Sequence, residues 1–309
     1  MLETNQIAVL LATYNGEKYI EEQIASLFSQ TEKHWELFAH DDGSTDRTAD
    51  ILKDYQEHDP DRIHILSGPS CGGAKENFFF LMKQVKAPYV MFCDQDDVWK
   101  PEKIALEFQK IKDLETQFGA ATPLMVFSDL TVVDDNLHII AERMSVYQKL
   151  DPSHTKPKDL MIQNVITGCT VMVNRALIQK ALQLRKTDNV IMHDWWCALT
   201  AAYFGKVSYV DRPLVLYRQH GDNSVGAKNV SSPEYLRKKL KHWRDIKCSL
   251  TATQNQTASF VNTYSITDPV LIRYGQLGEK NKAQRLYFYA KNGVRKCGWQ
   301  RNLGLLIWG

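Results

Sequence analysis

YVMFCDQDDVW, residues 89–99, passes within eleven positions from five consecutive apolar residues to three carboxylates. An apolar run of that length reads as a strand covered on both faces. Asp94, Asp96 and Asp97 then stand at its carboxyl end, where like charges repel unless something positive sits among them. Hard oxygen donors of this kind suit Mg2+ or Mn2+, ions that bridge diphosphate oxygens. A plainer reading is a helix-entry loop, because Pro101 follows and acids favour a helix N-terminus.

The same rhythm extends to both sides of this stretch. IAVLLAT (7–13), WELFAH (35–40), RIHILS (62–67) and LMVFSDL (124–130) read as strands, with helical patterns near 17–29, 45–55 and 75–84 and after Pro101. Alternation of this kind predicts an α/β fold, a mainly parallel sheet flanked by helices on both faces. Such sheets bind ligands beyond the carboxyl ends of their strands. Polar clusters fall there: Thr13-Tyr14-Asn15 after the first strand, Asp41-Asp42-Gly43-Ser44 after the second, and the acidic cluster after the fourth. From about 125 to 225 the pattern loosens into short strands, TVVDD, GCTVMVN, KVSYVD and LVLYRQH, around a helix starting near His193. The expected organisation is one domain over 1–225, its halves meeting near 125, and a basic helical region over 226–309. There Ser231 or Ser232 caps a helix in SPEYLRKKLKHWRDIKCSL.

The net charge of +2 over 309 residues hides an asymmetry. Residues 1–234 hold 24 Lys and Arg against 33 Asp and Glu, a net −9, whereas 235–309 hold 14 against 3, a net +11. A basic tail with Trp243, Trp299, Trp308 and a closing NLGLLIW suits helices that lie on an anionic membrane, and equally helices that pack on the acidic body or on a second copy. No readout motif accompanies the charge, which argues against nucleic acid. Six cysteines without CxxC or CxxH spacing read as reduced and cytoplasmic. No stretch of 18 uncharged apolar residues occurs, so a peripheral position at the inner face of the plasma membrane is the membrane association expected. The absence of GxGxxG and Walker patterns argues against dinucleotide and P-loop chemistry.

Taken in order, LLATYNGEKYIEEQIASLFSQT (10–31), HDDGSTDRT (40–48) and CDQDDVWKPEKI (93–104) resemble the inverting glycosyltransferases of family 2, which have the GT-A fold. The resemblance spans about residues 6–225 and implies a nucleotide-sugar-binding half (1–125), an acceptor-binding half (126–225) and an Mg2+ or Mn2+ cofactor. It implies that Thr13, Tyr14, Asn15 and Asp42 hold the nucleotide, with Asp42 facing the imide of a uracil or thymine. Asp94 and Asp96 would lie against the nucleotide, and Asp96 and Asp97 would face ribose and metal. Lys75 and Asn77, in GGAKENF (72–78), match positions that approach the donor, and a helix-entry role fits them as well. Gly168, in ITGCTVMVNR, resembles a glycine loop beside the donor sugar, or is an ordinary turn.

In the same family an acidic dipeptide opening a helix carries the catalytic base. The matching segment here is MHDWWCALTAAYFG (192–205), where Asp194 takes the base position and His193 replaces the commoner Glu. Trp195 follows, a residue able to stack on a sugar or to pack inward. His220, in LVLYRQHGDNSVG (214–226), matches a histidine that completes the metal site, while Arg218 suits either a diphosphate or an ion pair. DQDDVW together with YRQHGDN looks most like bacterial rhamnosyltransferases of cell-wall and capsule synthesis, using dTDP-L-rhamnose on a lipid-linked or polysaccharide acceptor. A UDP-hexose donor and a non-catalytic sugar-nucleotide-binding scaffold are the alternatives.

Overall fold

The computed structural model describes residues 6–221, 226, 230 and 243–308. Ser231, Ser232 and the basic run up to His242 lie outside the described residues. Strand β1 (Ile7–Thr13) is buried along both faces, as its unbroken apolar run requires. It pairs in parallel with β2 (Trp35–Asp41) on one side and β4 (Tyr89–Asp94) on the other, and β2 pairs in parallel with β3 (Ile63–Ile65). The register sets Thr13 opposite Asp41 and Ala12 opposite Asp94, so three polar strand ends share one level.

Beyond β4 the sheet turns mixed. β8 (Val171–Asn174) runs antiparallel to β4 and to β6 (Leu124–Val133), and β6 pairs in parallel with β9 (Lys206–Arg218). The short β5 (Val98–Trp99) pairs antiparallel with β9, while β7 (Ile139–Ala141) adds to β6. KVSYVD and LVLYRQH, expected as two strands, are one thirteen-residue strand. Pro213 lies where the β6–β9 register shifts, and a bulge is where a residue without an N–H fits.

Helices cover both faces, as the alternation predicts. Helices α1 (Ile20–Phe28), α2 (Thr48–His58) and α4 (Lys103–Phe118) close one core with Trp35 and Trp99. On the opposite face lie α3 (Ala74–Gln84), the four-residue α6 (Pro157–Leu160), α7 (Arg175–Ala181) and α8 (His193–Phe204), whereas the four-residue α5 (Met144–Tyr147) sends Met144 into the first core. Helices α9 (Trp243–Tyr264), α10 (Pro269–Gly275), α11 (Lys282–Asn292) and α12 (Trp299–Trp308) follow. They share the second core: Phe260 meets Trp196 edge-on at 5.4 Å, and Tyr264 donates to the Lys180 carbonyl at 2.8 Å. Asp268 caps α10, and an Asn281–Gln284 capping box starts α11. Among the described residues no helix is long and apolar enough to cross a membrane.

The junction of α8 and β9 is a tight point. A Cβ built on Gly205 would lie 1.7 Å from the Pro123 carbonyl oxygen, which already accepts from Lys206 N at 3.0 Å. Backbone cannot swing aside as a side chain can, so Gly205→Ala should cost roughly 2–4 kcal/mol. Denaturant titration of the variant measures this; unchanged stability would mean that the junction relaxes freely.

Candidate active site

The carboxyl ends of β1, β2 and β4 open into a cleft of about 1650 Å3 that continues past Gly168 and Asp194 to α12. At one end Asp42 is buried, and its Oδ2 accepts from Gly73 N at 2.7 Å. Oδ1 accepts from the Ser70 hydroxyl at 2.9 Å, from Gly72 N at 3.1 Å and from Cys71 N. Burial pushes its carboxyl up, but these donors together outweigh that and hold it below its ordinary value. Asp42 is thus an ionised acceptor at the cleft wall, with lone-pair capacity left on Oδ2.

The first loop is fixed around it. Thr13 lines the cleft, and its hydroxyl donates to Asp41 at 2.9 Å. Asn15 adopts φ 47°, a left-handed conformation that Asn tolerates, and its Oδ1 accepts from Thr45 N at 2.8 Å. Tyr14, 56% exposed, offers its ring to the cleft. Gln95 grips the backbone of Tyr14 at both ends, accepting from its N–H at 2.9 Å and donating to its carbonyl at 2.8 Å. Sequence reasoning passed over Gln95. Its one signal was an amide set among carboxylates.

The turn between β4 and β5 sends its two adjacent carboxyls in different directions. Asp96 faces the cleft, where its Oδ2 meets His220 Nε2 at 2.7 Å. Asp97, one residue on, faces the interior with Trp99 and is fully buried. Its Oδ1 accepts from Arg218 N at 3.2 Å, the Cys169 thiol lies against it, and its Oδ2 has no partner among the described residues. Burial, then Asp96 and Asp94, push the Asp97 carboxyl well up. Asp97 therefore lies behind the cleft wall and not on its lining. Asp94 lies at the cleft with its carboxyl pushed up to about 7 by burial and by Asp96 and Asp194.

The donor set fits the divalent ion that the acidic cluster implies. A carboxylate and an imidazole in contact suit Mn2+ or Mg2+ bound with substrate oxygens. Asp94, Asp97 and Cys169 also bring one ligand atom each within 4.8 Å. The Cys169 thiol is pushed well up by burial, so it stays protonated and is a poor ligand for a hard cation.

Two expected donor contacts are used elsewhere. Lys75 does not line the cleft; it donates to the Thr187 and Val190 carbonyls at 3.0 and 3.1 Å and pairs with Glu76. Asn77 reaches the cleft wall, but its amide is spent on His40, at 2.9 Å to the ring and 3.0 Å to the carbonyl. Arg218 is buried beneath the turn, donating to the Asp96 carbonyl at 3.0 Å and pairing with Glu22 at 2.5 Å. Of its two readings, the ion pair is the one formed.

Asp194 sits in the first turn of α8, buried at the cleft. Burial pushes its carboxyl up to about 7, against the lowering pull of N–H groups from Trp195, Gly168 and Asp194 itself and of the Asn164 amide. Gly168 earns its place by size: a Cβ there would come within 3.3 Å of His193 Nε2 and 3.5 Å of Asp194 Cβ. His193 is clamped between Phe78, stacked at 3.9 Å, and Phe92, edge-on at 4.6 Å. Neither ring nitrogen has a partner among the described residues, and burial pushes the imidazole down to about 3, so it is neutral. The Trp195 indole lines the cleft with its N–H donated to the Leu160 carbonyl at 2.6 Å.

A family model described as Glycosyl transferase family 2 matches residues 8–181. The chain belongs to glycosyl transferase family 2. The dTDP-rhamnosyl transferase RfbG of Shigella flexneri is 32% identical over 266 residues, 82% of this chain and 86% of that one. Two solved structures share the fold. TarS 1-349 of S. aureus in complex with UDP superposes with a TM-score of 0.55 at 15% identity, over 97% of this chain and 89% of that one. The mannosyltransferase PcManGT of Pyrobaculum calidifontis, in complex with GDP-Man and Mn2+, gives 0.51 at 14% identity, over 97% and 83%. The family 2 fold here is therefore GT-A.

The geometry separates the two lysine readings by experiment. Lys75→Ala should leave nucleotide affinity within about twofold while loosening the 187–190 loop, because its bonds go to that loop. Calorimetric titration with UDP and dTDP checks this, and a tenfold loss would return Lys75 to the donor site.

Proposed function

We propose that the chain is an inverting hexosyltransferase that moves L-rhamnose from dTDP-L-rhamnose onto a sugar hydroxyl of a lipid-linked or polysaccharide acceptor. The observation that carries this reading is a buried carboxylate, Asp194, poised near neutrality in the cleft that also holds Asp42, Asp96 and His220. The rhamnosyl donor rests on the similarity to the Shigella enzyme. A peripheral place at the cytoplasmic membrane face rests on the basic tail.

In this reading Tyr14 stacks on the base and Asp42 accepts from its imide through Oδ2. Asp96 and His220 would hold Mg2+ or Mn2+, which supplies neutralising charge for the diphosphate leaving group. Asp194, when ionised, takes the proton of the acceptor hydroxyl. The freed oxygen forms its bond to the anomeric carbon from the face opposite the diphosphate as the carbon–diphosphate oxygen bond breaks, which inverts the centre. The proton then leaves Asp194 for solvent. A base that titrates near the working pH is half ionised there and still has strong proton affinity. The neutral His193 beside it adds no positive charge that would weaken that affinity.

Three outcomes follow for the assay of nucleoside diphosphate release. Below about pH 7 kcat/KM should fall about tenfold per pH unit, since only ionised Asp194 acts as base. Asp194→Asn should lower kcat by roughly 10^2 to 10^4 with donor affinity unchanged, and full turnover would remove it as the base. With dTDP-L-rhamnose and UDP-hexoses compared at equal concentration, preference for a UDP-hexose would overturn the rhamnosyl reading.

The same carboxyl has a stability signature of opposite sense. Its folded value lies above the unfolded one near 3.8, so the folded state binds the extra proton and stability falls as pH rises from about 4 to about 7. Asp194→Asn removes that penalty. The variant should exceed the parent in stability by a margin that grows across this window, on the order of 1–3 kcal/mol at its upper end. Denaturant titrations at pH 5 and pH 8 compare the two.

A further inference from the structure

The cleft does not end at Asp194. It runs on between the 150–166 segment and α12, where Leu150, Ile162, Trp299, Leu303 and Ile307 line it. Trp299, Leu303 and Ile307 recur at a spacing of four, which puts them on one face of the helix, and they stay 64%, 47% and 42% exposed. A monomer that leaves such a stripe uncovered beside its active site pays for it in solubility unless something apolar docks there.

Charge surrounds this apolar wall. Residues 280–308 carry seven Lys or Arg and no Asp or Glu, and Lys296 and Arg301 both line the cleft. Arg301 is aimed by its Nη1 bonds to the Cys297 and Lys149 carbonyls, at 3.1 and 3.4 Å. Backbone carbonyls fix the guanidinium but do not neutralise it. The helix itself is pinned: Cys297 N donates to Gln163 Oε1 at 2.7 Å, the Cys297 thiol meets His154 Nδ1 at 3.3 Å, and Leu305 is buried. The arrangement is a fixed trough with an apolar wall and a cationic rim, the complement of an anionic amphiphile.

We propose that this far end of the cleft, between α12 and the 150–166 segment, is a subsite for the apolar chain and phosphate of a lipid-linked acceptor. It rests on the transferase reading above and names the class of acceptor. The sugar of such an acceptor would point along the cleft toward Asp194, with its phosphate at Lys296 and Arg301 and its chain on Leu303 and Ile307.

The test is calorimetric titration of the full chain with farnesyl diphosphate, inorganic pyrophosphate and farnesol, in EDTA so that the metal-free acidic turn repels the diphosphate. Farnesyl diphosphate should bind at least about tenfold more tightly than either fragment, because chain and anion are held together. Leu303→Ser and Ile307→Ser should each weaken it about tenfold, and Arg301→Gln about fivefold, with Arg301→Lys restoring most of the loss. Leu306, 58% exposed and outside the cleft lining, is the control. Leu306→Ser should change affinity less than twofold.

No binding of farnesyl diphosphate, binding indifferent to Leu303, Ile307 and Arg301, or an equal loss in Leu306→Ser would overturn the subsite. Melting curves of each variant separate lost contacts from lost folding. Failure of the transferase reading looks different: no nucleoside diphosphate is released by the parent chain, while the titration stands unchanged.

Discussion

The arrangement depends on how the protein accommodates a buried negative charge at the carboxyl edge of its sheet. Asp94, Asp96 and Asp97 follow a fully covered strand, and such a cluster is tolerated only if its members are separated or met by positive groups. Both devices are used. Pairing of Val98 with Leu216 and Trp99 with Val215 brings the end of β9 under the turn, and Arg218 fills the space with an N–H to Asp97 and a guanidinium to the Asp96 carbonyl. That same pairing carries His220 onto Asp96. A two-residue strand thus joins the first acidic motif to a loop more than a hundred residues later.

Much of this was legible because it is local. The apolar run of β1, the alternation of strands and helices and the polar clusters at strand ends all follow from short-range pattern, and the structure places Asp42, Asp96, Asp194 and His220 along one cleft. What was not legible depends on which way a side chain turns and what has reached it from afar. Asp96 and Asp97 are equivalent as letters; only the path of the turn between β4 and β5 decides that one meets the cleft and the other the core. Lys75 sits on the helix expected to approach the donor, yet the 187–190 carbonyls, over a hundred residues away, claim its ammonium. KVSYVD and LVLYRQH read as two strands because the bulge that joins them at Pro213 cannot be seen before the partner strand is known.

His193 and Asp194 show the same burial acting in opposite directions on two neighbours. Removal from water disfavours the charged form of each, which empties the imidazole of its proton and lets the carboxyl keep one. The result is a pair without a full positive charge between Phe78, Phe92 and the cleft. A glutamate in place of His193 would bring a second carboxyl to the same site, raising the cost of ionising Asp194 by like-charge repulsion. The neutral aromatic ring achieves packing without that coupling. The His-Asp pair is therefore one physical solution for a poised carboxylate, one in which the adjacent residue adds no charge and the facing carboxyl is that of Asp94.

The tail gains its meaning from the body's charge. A segment of net +11 beside a body of net −9 is drawn to it electrostatically, but screening limits such attraction to about a Debye length, so contact has to be completed by packing. Phe260, Tyr264, Tyr274 and Leu305 supply it by entering the same core as α8. Once those residues are buried, the helices have no freedom to choose where their remaining faces point. Trp299, Leu303 and Ile307 reach the cleft because Leu305 is turned inward and Cys297 is tied to Gln163 and His154. The far end of the cleft is thus a by-product of core packing, which makes its shape as rigid as the core that sets it.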